Sequence, residues 1–138
     1  MSNKRIHFKL ITHEKIVYEN DIDEFYAQGI DGDFGILPDH TPFMSALKIG
    51  VIKIINNKNT DYFAILGGVL QFSDNHAVVL SEDAENGKDV NIAIANAEKE
   101  KLEARVGSDK YKKDIERSEK ALAMTLAKIK AATNNSLN

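Results

Sequence analysis

Cysteine is absent from the 138 residues. That excludes disulfides, thiolate metal sites and a cysteine nucleophile in one step, and it suits a reducing compartment. Nowhere do about 18 apolar residues run together, the length a helix needs to span a bilayer. The opening Met1-Ser2-Asn3-Lys4-Arg5-Ile6-His7 also lacks the apolar run of a secretory signal. The expectation is a protein made and kept on the cytoplasmic side. Tracts rich in Pro, Ser or Gln are missing too, apart from the polar tail Thr133 to Asn138. With 43% hydrophobic and 28% charged residues the chain has the composition of an ordinary folded protein.

Catalytic signatures are equally scarce. His7, His13, His40 and His76 stand far apart and none belongs to an H-E-x-x-H or similar ligand spacing, so no metal is expected. No G-x-S-x-G elbow occurs, and the carboxylates are scattered over loops and helix faces. Gly29, Gly32 and Gly35 form G-x-x-G-x-x-G, which matches neither a dinucleotide fingerprint nor a P-loop. Pro38 follows too soon for a helix to open there, and Asp31 and Asp33 would repel phosphate. These glycines read as positions of positive φ or close backbone approach. No enzyme class is specified.

What is present divides the chain in two. This length holds one core, or a domain of about 85 to 90 residues plus an appendage. From Arg5 to Leu80 apolar residues alternate with period 2, as in Ile6, Phe8 and Leu10, or Phe63 and Ile65. That is the pattern of half-buried strands, separated by turn signals such as Asn56-Asn57-Lys58-Asn59 and Ser73-Asp74-Asn75. After Glu85-Asn86-Gly87-Lys88 the composition changes to Ala, Glu, Lys and Leu. The expected organisation is an antiparallel β-sandwich over 1–86, an α-helical hairpin over 89–134 with helices at about 89–106 and 109–132, and a polar tail over 135–138. Asp89 is the expected cap of the first helix, and Gly107-Ser108-Asp109 the break.

The second helix carries an apolar stripe at Tyr111, Ile115, Ser118, Leu122, Leu126 and Ile129, expected to pack along its whole length. The first helix is weakly amphipathic, which predicts marginal docking. Charge divides at the same boundary. Through Asp89 the chain has 8 basic and 14 acidic residues, and beyond it 10 and 7, so the body is about −6 and the tail about +3. An acidic body is a poor ligand for nucleic acid, whereas the tail suits an acidic partner. Its cations Lys110, Lys113, Arg117, Lys120 and Lys128 recur near spacings of 3 and 4, a basic ridge interrupted by Met124.

One segment is more distinctive: Gly29-Ile30-Asp31-Gly32-Asp33-Phe34-Gly35-Ile36-Leu37-Pro38-Asp39-His40-Thr41-Pro42-Phe43, closing with Leu47-Lys48-Ile49-Gly50. It resembles the signature of the epsilon subunit of bacterial F-type ATP synthase, the counterpart of the mitochondrial delta subunit. Ile6-His7-Phe8-Lys9-Leu10, Gly67-Gly68 before Val69-Leu70-Gln71-Phe72, Val79-Leu80-Ser81-Glu82 and the terminal hairpin extend the resemblance over nearly the whole chain.

The resemblance implies a sandwich of about ten strands followed by two helices. It implies a non-catalytic central-stalk subunit without cofactor, coupling the gamma subunit to the c ring and held peripherally at the cytoplasmic face of the bacterial inner membrane. By position, Asp31 and Asp33 fall toward the c ring, and His40, Thr41 and Ser45 toward gamma. His40, bracketed by Pro38 and Pro42, also suits a simple turn brace. In the family the hairpin can extend toward the alpha and beta subunits and restrain ATP hydrolysis, its basic face meeting an acidic segment of beta.

Asp39 stands where many relatives have Gly, which Asp tolerates if the position is left-handed. Nucleotide-binding members carry Ile/Leu-Asp-x-x-Arg-Ala at the start of the first helix, whereas this chain reads Val90-Asn91-Ile92-Ala93-Ile94-Ala95. Asn91 replaces the acid and Ile94 the cation. The lost charge-assisted phosphate contact is worth about 1.5–3 kcal/mol, so nucleotide sensing is not expected, and Glu85 alone does not restore it. Read from the residues alone, a second assignment stays open: a free-standing regulatory or scaffold β-sandwich whose helical arm binds some other acidic protein.

Overall fold

In the computed structural model, which describes residues 4–108 and 110–136, the period-2 pattern becomes strands. They are β1 Ile6–Ile11, β2 Ile16–Ile22, β3 Glu24–Gly29, β4 Gly32–Ile36, β5 Phe43–Asn56, β6 Asn59–Ser73, β7 His76–Leu80 and β8 Ala84–Asn86. In β1 the alternation is complete, with Ile6, Phe8 and Leu10 buried and the residues between them only half covered. Neighbours run in the order β2-β1-β7-β6-β5-β3-β4, with β8 added to β6. All pairings are antiparallel except β1 with β7.

β5 and β6 are twice as long as the others and belong to both layers. Their register holds from Phe43↔Phe72 to Asn56↔Asn59 without a shift. Yet the residues facing the central core change parity along each strand, from Leu47 to Ile52 and Ile54, and from Phe63 and Ile65 to Leu70 and Phe72. Such a change of parity turns a strand from one layer into the next. In β6 it occurs at Gly67-Gly68, both with positive φ, where a side chain on Gly68 would strike the Leu80 carbonyl. In β5 it falls beside Gly50, where the Gln28 side-chain carbonyl accepts from the Val51 N–H at 2.8 Å. There the pairing with β3 shifts register. Counted once in each layer, β5 and β6 bring the eight strands assigned among the described residues to the ten expected.

The helices are α1 Ile92–Ser108 and α2 Lys112–Ser136. Their limits differ from expectation for local reasons. Asp89 does not cap α1, because Gly87–Asp89 forms a 3-10 turn whose own cap is Asn86. Asn91 is the cap instead, its Oδ1 accepting from the Ile94 N–H at 3.1 Å. α1 continues through Gly107, and the first-turn bonds of α2 close on the Tyr111 carbonyl. Asp109, the expected start of the second helix, lies outside the described residues. Of the expected tail, Asn135 and Ser136 are helical, while Leu137 and Asn138 lie outside the described residues.

The expected packing stripe of α2 is also revised. Of its members Ser118 is buried and Ile115, Leu122 and Ile129 are half-buried, but Tyr111 is 73% and Leu126 44% exposed. The contact with the outer face of the sheet is made instead by Met124, Ala127 and Ala131, buried with Val51 and Ala64. Ile49, Tyr62 and Leu66 form the rim of this second cluster. A flat sheet admits a helix most closely where the helix side chains are small, so two alanines and one pliable Met outcompete the larger residues. α1 rests mainly on α2 and buries only Ala95 and Leu102, in keeping with its weak amphipathicity.

Near its C-terminus α2 meets the 3-10 turn at Gly87. A side chain there would lie 2.5 Å from the Ala131 carbonyl and would strike the Asn135 amide. Gly87→Val therefore overpacks this contact, at a cost of about 1–3 kcal/mol. Hydrogen exchange should accelerate for α2 amides around Met124 to Asn135 while the β1 and β6 amides stay protected.

Candidate functional site

The β3–β4 hairpin and the loop before β5 meet at one end of the sandwich. Gly29 pairs with Gly32 across the turn, leaving Asp31 and Asp33 exposed. The Ile30 N–H donates to the Ala46 carbonyl at 3.0 Å, tying the tip to β5. Ser45 closes on it, its Oγ 3.0 Å from where a side chain on Gly29 would begin. Phe34 of β4 and Phe43 of β5 stack edge to face at 4.9 Å. The tip is thus tied through Ile30 to the strand that carries Ser45, whose own Oγ donates to the Ala46 carbonyl at 3.0 Å.

His40 does bracing work there. Its Nδ1 lies 2.7 Å from the Thr41 carbonyl, and its ring sits edge-on to Phe43 and Phe72 at 5.8 and 5.9 Å. Thr41 is exposed and Ser45 half-buried. Asp39 adopts φ 68°, the left-handed conformation anticipated for it. Its N–H donates to Asn75 Oδ1 at 2.6 Å, and Asn75 Nδ2 donates back to the carboxylate at 3.1 Å. That hydrogen bond, with help from Lys4 at 3.2 Å, holds the Asp39 carboxyl below its ordinary pKa. The loop is thereby tied to the β6–β7 turn.

Across the outer face of the first layer, where β1 and β7 join the C-terminal part of β6 and the N-terminal part of β5, runs an apolar row that sequence reasoning did not single out. Ala46 pairs with Val69, Val69 with Leu80, and Leu80 with Ile11, so the row crosses four strands. Val69 is 45% and Leu80 54% exposed, and neighbouring Met44 is 65% exposed. Its signal was the run of apolar residues at both parities in Ala46-Leu47, Val69-Leu70 and Val79-Leu80. A strand with one solvated face alternates, so an apolar residue on each side marks a covered outer face. Beside the row, Ile11, Leu66, Gly68 and Leu80 line an open groove of about 530 Å3.

Farther along this face the row gives way to charge. The two ring nitrogens of His7 lie 2.8 Å from Asp21 and 2.8 Å from Glu19 on β2, and Lys9 is 3.6 Å from Glu19. The hydrogen bond to Asp21, then that to Glu19, raises the pKa of His7.

The basic residues of the hairpin divide into two sets. Lys110, Lys113 and Arg117 are exposed. Lys120 pairs with Glu82 at 2.9 Å and Lys128 with Glu85 at 3.2 Å, both on the body. Met124 does not interrupt the ridge but anchors it, 5% exposed in the contact with the sheet. Asn91 caps α1 and Ile94 is exposed. Among the described residues no three His, Asp or Glu side chains gather as a metal would require, and no helix is long and apolar enough to cross a membrane.

Residues 5–87, the whole two-layer body, match the family described as "ATP synthase, Delta/Epsilon chain, beta-sandwich domain". The chain belongs to the ATP synthase epsilon-chain family. The ATP synthase epsilon chain of Nitratidesulfovibrio vulgaris strain DP4 is 37% identical over 131 residues, covering 95% of this chain and 98% of the relative. That of Desulforamulus reducens is 35% identical over 123 residues, covering 89% and 93%. Both alignments reach into the hairpin. In fold, the chain superimposes with TM-score 0.80 and 17% identity on a chain of the Euglena gracilis mitochondrial ATP synthase OSCP/F1/c-ring structure, covering 94% of this chain and 81% of that one. A chain of the Tetrahymena thermophila central stalk/c-ring structure gives 0.64 at 14% identity, covering 95% and 98%. An epsilon chain is a non-catalytic subunit of ATP synthase.

The His7 pair carries a pH signature. A raised folded pKa means that the clamp's stabilisation is fully present below the unfolded value near 6.5 and is lost as pH rises through the folded value. Because the ring is partly exposed the effect is small. His7→Gln should lower Tm by no more than a few degrees at about pH 5.5, with the difference from the parent vanishing toward about pH 8.5. An equal gap at both pH values would show that the clamp does not titrate.

Proposed function

We propose that this epsilon chain couples the gamma subunit to the c ring in the central stalk of a proton-translocating ATP synthase, at the cytoplasmic face of a bacterial inner membrane, and restrains ATP hydrolysis through its hairpin. Support comes foremost from the unequal treatment of the two outer faces. The hairpin covers one, and the other carries the uncovered row Ile11, Leu80, Val69 and Ala46. An apolar row on a folded subunit of an assembly fits a protein partner. Gamma is the partner proposed for it, with His40, Thr41 and Ser45 at its border.

Asp31 and Asp33, on the tip that Ile30 and Phe34 brace, are proposed to meet the polar loops of the c ring. A corner braced by the Ile30–Ala46 hydrogen bond and the Phe34–Phe43 contact suits a coupling piece, because torque passes only through parts that do not yield. Lys110, Lys113, Arg117, Lys120 and Lys128 are the proposed contacts of the extended hairpin with an acidic segment of beta. With the motif changed at Asn91 and Ile94, the hairpin is proposed to respond to rotation or membrane energisation rather than to bound ATP.

Two measurements test this. Val69→Glu and Leu80→Glu introduce charge at exposed positions and should leave the fold intact, yet weaken association with gamma by at least about a hundredfold, as an unpaired charge buried in an interface does. Retained co-purification with gamma would remove the row from that contact. Deleting residues 89–138 should raise hydrolysis by the membrane-bound enzyme, and an unchanged rate would sink the inhibitory role.

A further inference from the structure

Lys113, Arg117, Lys120, Met124 and Lys128 recur at spacings of 4, 3, 4 and 4, so they share one face of α2. At the rise of an α-helix that face is about 22 Å long. In the docked hairpin its two halves differ. Lys113 and Arg117 are exposed, whereas Lys120, itself about half exposed, is ion-paired to the body and Met124 and Lys128 lie against it.

The carboxylates receiving the two lysines sit on backbone held in place. Glu85 belongs to β8 and pairs with Ala64, the residue beneath Met124. Glu82 follows buried Ser81, whose Oγ lies 2.6 Å from the Gly67 carbonyl and 2.9 Å from that of Asp83. The Leu66 N–H closes the same turn by donating to the Asp83 carbonyl at 2.9 Å. Glu82, Asp83 and Glu85 thus form an acidic shelf along the edge of the body, with two of its three carboxylates engaged by α2.

We infer that this shelf is an intramolecular substitute for the hairpin's acidic partner: Glu82 and Glu85 occupy Lys120 and Lys128 so that the complete basic face exists only when α2 leaves the sheet. The inference deepens the inhibitory role above and rests on it. Docking and partner binding then exclude each other, and the apparent affinity for an acidic segment is the intrinsic one scaled by the undocked fraction. Arg117 and Lys113, exposed in both states, make the first contact. Lys120 and Lys128 follow by exchanging one set of carboxylates for another, which leaves the number of ion pairs nearly constant. Salt acts on both sides of this exchange, and in the isolated chain it weakens only the docked state.

The test uses the full chain, free and in the assembled enzyme. In the free chain, α2 amide exchange should quicken by about two- to tenfold between about 0.05 and 0.5 M salt, the range for removing two exposed ion pairs. Glu82→Gln with Glu85→Gln should give the fast rate at low salt and abolish the salt dependence. Glu82→Lys should loosen α2, and adding Lys120→Glu should restore protection. In the assembled enzyme the double Gln variant should deepen inhibition by a similar factor, as should Gly87→Val, which undocks α2 without touching a charge. Stronger inhibition by Gly87→Val alone, with the Gln variant matching the parent in both assays, overturns the shelf and leaves the inhibitory hairpin standing. If hydrolysis is unaffected by either variant and by deletion of residues 89–138, the inhibitory role itself fails.

Discussion

The continuous pairing of β5 with β6 sets everything else in the molecule. Because its register is unbroken from Phe43↔Phe72 to Asn56↔Asn59 while the inward face changes parity, one long hairpin supplies strands to both layers. It thereby positions the core between them and one outer face on each side. The bend relies on Gly67-Gly68 and on the place where Gln28 satisfies the Val51 N–H. A shift of one residue in that pairing would exchange the buried and exposed sets along both strands. The seat of α2 at Val51 and Ala64 would be lost together with the apolar row at Ala46 and Val69.

The two outer faces solve the same problem differently. Over the second layer the chain provides its own cover, a helix whose small residues sit close on the sheet and whose lysines reach carboxylates at the edge. Exposed ion pairs of this kind contribute only about 0–1 kcal/mol each, and the apolar seat under Met124, Ala127 and Ala131 is small. The proposed inhibitory role requires a cover of this kind to be exchanged. Over the first layer no element of the described chain covers the row from Ile11 to Ala46, and a partner subunit takes that place in the proposed assembly.

Much of this was legible in the residues. The β body, the helical hairpin and the family resemblance follow from period-2 alternation, from the compositional break after Lys88, and from the Gly29 to Phe43 segment. Less legible was the face by which α2 docks. Tyr111 and Leu126 belong to the more hydrophobic stripe, but hydrophobicity does not report shape, and the sheet is met by Ala127 and Ala131 instead. The helix start was misread because Asp89 and Asn91 are both good caps, and only the 3-10 turn at Gly87 decides between them. The row across β5, β6, β7 and β1 was hidden because its members are up to 69 residues apart in sequence, Ile11 to Leu80, and become neighbours through register alone.

By itself, then, the sequence determined the kinds of element, their order, the acidic body and basic arm, and the family to which the chain belongs, since these depend on local periodicity, composition and motif. Tertiary structure decided what each charged or apolar residue faces. Lys120 and Lys128 meet Glu82 and Glu85, Met124 becomes an anchor rather than a gap, and the Ile30 N–H ties the acidic tip to Ala46 on the apolar face. Those outcomes depend on strand register and on the closeness with which a helix can approach a sheet, neither of which is encoded in any single stretch of chain.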